Sequence, residues 1–364
     1  MIMSILAVCF IGFCIWIVIV VIIVSYILHN AKEDNKKRET NVVSRDIYLN
    51  MNSTYKSFNS TDVMYDNVVN NLNKEQEIKD FIKLYFGCKA DDSNKVIFTS
   101  GATESLVTCL NWIKHHYQTV ELLGSKHDHS SVKDNCDNIG IKYITDVVES
   151  THRTKAIIVT HVDPLTGEIY EPDLSILNNF DFVLFDVSQS IGKVGLNLSG
   201  LHNNYAVFFS LHKIGGSKNC GILMFNDRNN SFVPLIAGKQ QAGLRGGTYD
   251  QQAFLQLDKQ LKTYHEEYNY KRCKSVWTKF YNKLKNKSNI KVYTPSNRHL
   301  YTTLLLEFDD CVLGKIEELA KNKIYVNAST SCLSNTDDNH IRLSFINPDL
   351  TNKEIEFIVK VLTE

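Results

Sequence analysis

The chain has 364 residues, enough for one large domain or two modest domains with a hydrophobic core. Lysine plus arginine and aspartate plus glutamate balance at 40 each, so the overall charge gives no reason to expect a nucleic-acid partner. The nine cysteines form no Cys-x-x-Cys pair, which supports neither a zinc site nor a disulfide framework. Free thiols in a reducing compartment are the simpler account.

An apolar run without charged residues, Ile5 to Leu28, lies at the N-terminus and is long enough to cross a bilayer as a helix. A cleaved signal peptide is the alternative, but it would have a basic start and small residues at a cleavage site. We therefore predict a transmembrane anchor over 1–29 and a polar linker over 30–45. Four basic residues follow the run: Lys32, Lys36, Lys37 and Arg38. The positive-inside tendency then predicts a single-pass membrane protein whose large C-terminal part is cytosolic.

Short apolar strands alternate with helices through the middle of the chain. We predict strands at 95–99, 119–123, 141–144, 156–159, 182–185, 205–209 and 222–225, and helices at 79–86, 104–115 and 131–138. This alternation predicts an α/β fold whose mostly parallel sheet is covered on both faces. Ligands of such sheets bind at the carboxyl ends of the strands.

After residue 250 the pattern changes. A long helical stretch over 250–288 precedes predicted strands at 300–308, 324–326 and 341–345 and helices at 315–321 and 353–362. These elements make a smaller α+β unit. We predict a large domain over 46–255 and a small C-terminal domain over 256–364.

One lysine, Lys213, lies in a glycine-rich turn between two predicted strands. The segment reads Ser210-Leu-His-Lys-Ile-Gly-Gly-Ser-Lys-Asn-Cys-Gly221. A lysine at the end of a buried strand loses part of its hydration, which favours the neutral amine that forms imines. The chemistry of pyridoxal phosphate needs such a lysine. An ordinary lysine in a surface turn is the alternative, and this segment alone leaves both open.

Two further segments are compatible with a phosphorylated pyridine cofactor. The turn Thr99-Ser-Gly-Ala-Thr-Glu104 joins a predicted strand to a helix, so its amides and the Thr103 hydroxyl would cradle a phosphate, or would only cap the helix. In Phe182-Val-Leu-Phe-Asp-Val-Ser-Gln189, Asp186 ends a buried strand. A pyridine nitrogen needs a carboxylate in such a position, although an aspartate that caps a turn would look the same.

These segments, together with one downstream, resemble the class V aminotransferase superfamily of fold type I pyridoxal-phosphate enzymes, and most closely the NifS/IscS-like cysteine desulfurases. The matching motifs occur in the family's order: Gly101-Ala-Thr-Glu, Asp186-Val-Ser-Gln189, Ser210-Leu-His-Lys213 with its Gly-Gly turn, and Leu244-Arg-Gly-Gly-Thr248. The resemblance runs from about Ile47 to the C-terminus and does not include the N-terminal apolar run.

The resemblance implies a role for each matching residue. Lys213 would bind pyridoxal phosphate covalently, Asp186 would pair with its pyridinium nitrogen, and Gln189 would hydrogen-bond its phenolic oxygen. His129 would stack on the ring and relay protons, with His127 as the rival.

The same resemblance implies ligands for the phosphate group. These are Ala102, Thr103, Ser210 and His212. Thr248 would reach the phosphate bound to the neighbouring subunit, which implies a homodimer.

The segment Ala328-Ser-Thr-Ser-Cys-Leu-Ser334 resembles the loop that carries the nucleophilic cysteine of the desulfurases. Cys332 is therefore the candidate nucleophile, because a thiol on a polar loop can ionise and reach a substrate sulfur, whereas a buried structural thiol cannot. Arg342 matches the arginine that grips the substrate carboxylate through a bidentate pair. Asn52, in a loosely matching N-terminal segment, is a further substrate-binding candidate.

The reaction that the resemblance implies takes sulfur from L-cysteine, releases alanine and leaves a persulfide on Cys332. An acceptor protein, which the sequence does not identify, then receives the sulfur. The chain departs from the family where Val162-Asp-Pro-Leu-Thr-Gly167 replaces Val-Asn-Asn-Glu-x-Gly, so a contact to the cofactor is lost or altered. Gly216-Ser217 replaces the usual Gly-Pro.

Three hypotheses follow. The first is a membrane-anchored cysteine desulfurase with a cytosolic catalytic domain. The second is another enzyme of the superfamily, such as a selenocysteine lyase or a molybdenum-cofactor-sulfurase-like protein. The third is a non-catalytic interaction protein that kept the fold. The abundance of Asn, Lys and Ile, taken with the anchor, predicts a large DNA virus or an AT-rich microbe as the source, and a host or viral membrane as the location.

Overall fold

The computed structural model describes residues 47–49, 68–89, 94–228, 230–267, 270–295, 298–328, 339–345 and 349–364. Four of the predicted features lie outside these residues: the anchor over 1–29, the linker over 30–45, Asn52 and Cys332.

Strands and helices alternate through most of the described chain. The strands are β1 (Ile47–Leu49), β2 (Asn94–Thr99), β3 (Glu121–Leu123), β4 (Lys142–Ile144), β5 (Thr154–Thr160), β6 (Phe182–Asp186), β7 (Asn204–Ser210), β8 (Gly221–Asn226), β9 (Ile290–Val292), β10 (Thr303–Phe308), β11 (Ile324–Ala328) and β12 (His340–Ser344). The helices are α1 (Val68–Tyr85), α2 (Ala102–His116), α3 (Ser130–Ile139), α4 (Leu174–Leu177), α5 (Gln251–Phe254), α6 (Leu257–Glu267), α7 (Tyr270–Leu284), α8 (Leu313–Lys321) and α9 (Asn352–Thr363).

A seven-stranded sheet forms the centre of the first unit, with the strand order β2-β8-β7-β6-β5-β3-β4. Strand β8 runs antiparallel to β2 and β7, and the other neighbouring strands are parallel. Every residue of β7 and β8 is buried, because side chains of both faces pack under helices. The prediction of an α/β fold with a mostly parallel, doubly covered sheet is confirmed.

Successive residues of a strand enter different cores. Val183 and Phe185 of β6 pack on one face with Ile82 of α1, whereas Phe182 and Leu184 pack on the other face under α2. This alternation is the period of two that a pleated strand imposes. Burying one such side chain stabilises the fold by about 1.5–3 kcal/mol.

A second sheet forms a smaller unit, with the strand order β1-β11-β12-β10-β9. Its core joins Leu343 of β12 to Phe280 of α7 and Ile358 of α9. Strand β1 precedes the whole first sheet along the chain, yet it pairs in parallel with β11 of the second. The division between the units near residue 255 stays a prediction.

The prediction of a single-pass membrane protein is corrected by the helices that the structure describes. None of them is long and apolar enough to span a bilayer. The longest, α1, carries six charged side chains: Lys74, Glu75, Glu77, Lys79, Asp80 and Lys83. The run Ile5–Leu28, on which the prediction rested, lies outside the described residues.

Candidate active site

A cavity of about 170 Å³ opens at the carboxyl ends of the central parallel strands. Most of the predicted site residues line it: Ala102, Thr103, His129, Asp186, Gln189, Ser210, His212, Lys213 and Arg342. Thr160, at the end of β5, and Phe208 of β7 complete the sheet side of the wall. Segments that are far apart in the chain therefore meet at the edge of the sheet where ligands of α/β folds bind.

Lys213 lies in a short 3₁₀ turn, Leu211–Ile214, directly after β7. Gly215 ends this turn in the left-handed region, with a φ of 79°, which favours glycine. A Cβ on Gly216 would lie 2.7 Å from the side-chain oxygen of Gln260 and 2.8 Å from Cβ of Leu211. Both glycines are thus needed to turn the chain away after the lysine, so Lys213 stays at the cavity.

Asp186 is the last residue of β6, and hydrogen bonds hold both its side chain and its main chain. Its side-chain Oδ1 accepts a hydrogen bond of 2.9 Å from the amide of Ser188. Its main-chain carbonyl accepts one of 3.0 Å from the amide of His161. The carboxylate is therefore fixed at the carboxyl end of β6. Phe208 is the partner of Asp186 in the β6–β7 register.

The first turn of α2 and the end of β7 meet across the cavity. The amide of Ala102 donates to Oγ of Ser210 over 2.8 Å. Gly221 of β8 passes so close that a Cβ there would lie 2.5 Å from Cα of Gly101. Backbone amides at a helix N-terminus favour an anion, so this corner has the chemistry of a phosphate cradle.

His212 also lines this corner and carries no charge near neutral pH. Burial lowers its pKa to about 4, and the nearby charges of Lys213 and Lys218 act in the same direction. It therefore offers a neutral imidazole N–H to a ligand.

A bidentate ion pair ties the cradle to the segment that carries Thr248. Arg245 donates from Nε and Nη2 to the two carboxylate oxygens of Glu104, over 2.8 and 3.0 Å. Burial acts to raise the pKa of Glu104, but hydrogen bonds from Arg245 and Ser100 lower it overall. Thr248 itself is exposed and does not line the cavity of its own chain.

The two candidate histidines have different surroundings. His129 caps α3, where its Nδ1 accepts a hydrogen bond of 3.2 Å from the amide of Ser131, and it lines the cavity. His127 instead places Nδ1 2.5 Å from Oδ2 of Asp163, and it does not line the cavity. Asp163 belongs to the segment that departs from the family pattern.

Arg342 comes from the second sheet. It is 4% exposed, and its Nη1 donates to the main-chain oxygen of Pro164 over 3.3 Å. The cavity therefore lies between the two units. Among the cysteines that the structure describes, Cys311 is exposed and the others are buried, and none lines the cavity.

Sequence reasoning missed Lys193, which lies four residues after Gln189. Its amine donates to the main-chain oxygen of Gln189 over 2.8 Å and lies 5.6 Å from the ring centre of Tyr264. Burial, with the charge of Lys213 acting in the same direction, lowers the pKa of Lys193 to about 7. The signal was present in Gln189-Ser-Ile-Gly-Lys193, where a lysine lies four residues after a predicted cofactor contact.

Comparison with known proteins agrees with this architecture. The model of the aminotransferase class-V family matches residues 44–357. The cysteine desulfurase IscS of Actinobacillus succinogenes is 25% identical over 295 residues, which cover 74% of this chain and 72% of that protein. IscS of Haemophilus influenzae is 26% identical over 294 residues, covering 73% and 72%. The chain is homologous to these desulfurases.

Solved structures share the fold. A NifS-like protein superposes with a TM-score of 0.71 at 18% identity, covering 87% of this chain and 98% of that one. The NifS-like protein of Rickettsia africae gives a TM-score of 0.70 at 18% identity over the same shares.

Proposed function

The chain belongs to the aminotransferase class-V family, and from this membership we propose that it is a pyridoxal-phosphate-dependent cysteine desulfurase. The substrate would be L-cysteine, and alanine would be the product. The observation that carries the proposal is the cavity, because Lys213, Asp186 and Arg342 reach it from three separate segments. A fold kept only for protein contacts would have no need to bring these three side chains together.

Pyridoxal phosphate fits the donor set of the cavity. Lys213 would hold it covalently, Asp186 would hold the proton of its pyridine nitrogen, and Gln189 would contact its phenolic oxygen. Its phosphate would lie at the corner of Ala102, Thr103, Ser210 and His212. When bound, the cofactor supplies an electron-withdrawing ring that stabilises negative charge on the substrate.

The protein's own groups would orient the substrate and move its protons. Arg342 would bind the cysteine carboxylate through its guanidinium, which matches a carboxylate in geometry. His129 and the released amine of Lys213 both line the cavity and would transfer protons.

Cys332 would be the sulfur acceptor within the chain. A bond forms between its thiolate and the substrate sulfur as the Cβ–S bond of the substrate breaks. The electron pair of that broken bond stays on the substrate carbon, which takes up a proton and becomes the methyl group of alanine. Cys332 is left as a persulfide, and the sulfur passes on to an acceptor protein.

We propose a homodimer as the working assembly. Thr248 is exposed on a segment that the Arg245–Glu104 pair fixes beside the phosphate corner. An exposed threonine in this position is available to a cavity other than that of its own chain.

The experiment that tests the function uses the purified protein with added pyridoxal phosphate. We expect an absorbance band of the bound cofactor, and release of alanine and sulfide from L-cysteine in the presence of a reductant. Lys213→Ala should abolish both, whereas Lys155→Ala, at an exposed position on β5, should change neither. A wild-type protein that binds the cofactor but forms no alanine would refute the proposal.

A further inference from the structure

The loop between β3 and α3 carries His129 and is joined to the end of β5 in two places. In one, Thr160 donates to Oδ1 of Asp128 over 2.5 Å. In the other, His127 pairs with Asp163, which lies in the turn just beyond β5. The first contact fixes the loop to the strand, and the second fixes it to the turn.

The turn that contains Asp163 is held together by hydrogen bonds within it. Oδ1 of Asp163 accepts hydrogen bonds from the amides of Leu165 (2.7 Å) and Thr166 (3.1 Å). The amide of Asp163 donates to the carbonyl of Glu168, and the amide of Gly167 donates back to Asp163, both over 2.9 Å. The carboxylate of Asp163 is thus built into the turn, and its remaining oxygen, Oδ2, faces His127.

This turn also reaches the second unit. The carbonyl of Pro164 accepts from Arg342, and the carbonyl of Gly167 accepts from the amide of Leu300 over 2.9 Å. The loop that carries His129 is therefore connected, through the contact of His127 with Asp163, to the turn that bonds Arg342. His129, Pro164 and Arg342 all line the cavity.

The His127–Asp163 contact is largely shielded from water. The side chain of Asp163 has no exposed surface, and that of His127 is 34% exposed. Removing one partner of a buried pair leaves the other without compensation for its lost hydration. Without His127, Oδ2 of Asp163 would lose its hydrogen-bond partner, and the loop would keep its contacts with Thr160 and Tyr143.

We propose that His127 and Asp163 are positioning residues that fix His129 and Arg342 relative to each other across the cavity. The roles of His129 and Arg342 in this inference rest on the proposed function. The contact between His127 and Asp163 does not depend on it. Neither His127 nor Asp163 lines the cavity, so the pair would act through the residues that do.

The test is amide hydrogen exchange, followed by mass spectrometry of the full-length protein. We expect His127→Asn and Asp163→Asn each to speed exchange about tenfold in peptides over 124–131 and 162–168, because local opening becomes easier. The double variant should exchange no faster than the faster single variant. Peptides from β7 should not change, which also checks that each variant is folded. His152→Asn, at an exposed histidine, is the matched control and should match the wild type.

Unchanged exchange over 124–131 in folded His127→Asn would overturn the inference, as would additive effects in the double variant. If Asp163→Asn does not fold, the hydrogen exchange of His127→Asn alone tests the inference. With L-cysteine as substrate, we expect KM to rise about tenfold in His127→Asn with a smaller change in kcat. Because hydrogen exchange needs neither cofactor nor cysteine, an inactive wild type would refute the function and leave the positioning pair intact.

Discussion

The amide of Ala102 and the hydroxyl of Ser210 are joined by a hydrogen bond of 2.8 Å although 108 residues separate them in the chain. The bond connects the first turn of α2 to the end of the strand that leads to Lys213. Because Oγ of Ser210 accepts from Ala102, its own proton remains available to a ligand. One contact thus links the phosphate corner to the lysine.

We expect Ser210→Ala to weaken the binding of pyridoxal phosphate about tenfold, because the phosphate loses a donor and the Ala102 amide loses its acceptor. The dissociation constant, measured by fluorescence titration, checks this. Ser199→Ala, at an exposed serine, is the control. Equal affinity of Ser210→Ala and the wild type would show that the phosphate does not bind at this corner.

The Glu104–Arg245 pair should stabilise the fold. Both side chains are about a tenth exposed, so we expect Glu104→Gln to lower the free energy of unfolding by about 3 kcal/mol at pH 7. The exposed pair Arg298–Glu171 is the control, and Glu171→Gln should cost less than about 1 kcal/mol. Urea denaturation measures both, and equal losses would contradict the assignment.

The stability due to Glu104 should depend on pH in one direction. Its pKa in the folded protein is lowered, so its contribution is complete above the ordinary glutamate pKa and is lost as pH falls through the lowered value. The difference in unfolding free energy between the wild type and Glu104→Gln should therefore begin to narrow as pH falls below about 4.3, the pKa of an unperturbed glutamate. A gap that widens on acidification would contradict this account.

Lys193 should disfavour the charged form of the Lys213 amine, because the charges of the two lysines interact. Two ammonium groups repel each other, so we expect Lys193→Met to slow acylation of Lys213 at pH 7 by up to about tenfold. Lys193→Arg should keep the wild-type rate. Competitive labelling of the cofactor-free protein, read by mass spectrometry, checks this, with Lys155→Met as the control. An unchanged rate in Lys193→Met would mean that the second charge has no effect on Lys213.

Subunit complementation tests whether Thr248 serves the partner's cavity. Lys213→Ala and Thr248→Ala should each impair the homodimer. In a mixed dimer, one cavity combines Lys213 of one subunit with Thr248 of the other and so is wild type in both residues. We expect mixed dimers to recover up to half of the wild-type activity per dimer. If a mixed dimer of verified composition recovers no activity, Thr248 serves the site of its own chain or no site at all.

The sequence predicted the central strands well because local patterns determine them. Predicted strand bounds of 182–185 and 222–225 compare with Phe182–Asp186 and Gly221–Asn226 in the structure. Both strands are continuous apolar runs ended by polar or glycine residues, which identifies a strand buried on both faces. Strand β1 has three residues and forms only by pairing with β11, so no local pattern could reveal it.

The positions of site residues that directly follow a strand could be predicted from the sequence. Contacts between residues of separate loops could not. Lys213 and Asp186 follow strands directly, so their positions at the sheet edge follow from topology. The contact of His127 with Asp163 joins two loops 36 residues apart, and sequence spacing does not encode such a contact. The burial of Lys193 likewise depends on Tyr264 of α6, which packs over it.

A single turnover without reductant tests most directly whether Cys332 accepts the sulfur of L-cysteine. The protein, loaded with pyridoxal phosphate, is mixed with one equivalent of L-cysteine, and its peptides are then mapped by mass spectrometry. We predict one equivalent of alanine and the added mass of one sulfur atom on the peptide with Cys332. Cys332→Ala should form neither, whereas Cys311→Ala, which removes the exposed cysteine of the described residues, should behave as the wild type. Alanine formation that persists in Cys332→Ala, or sulfur found on another cysteine, would contradict the account.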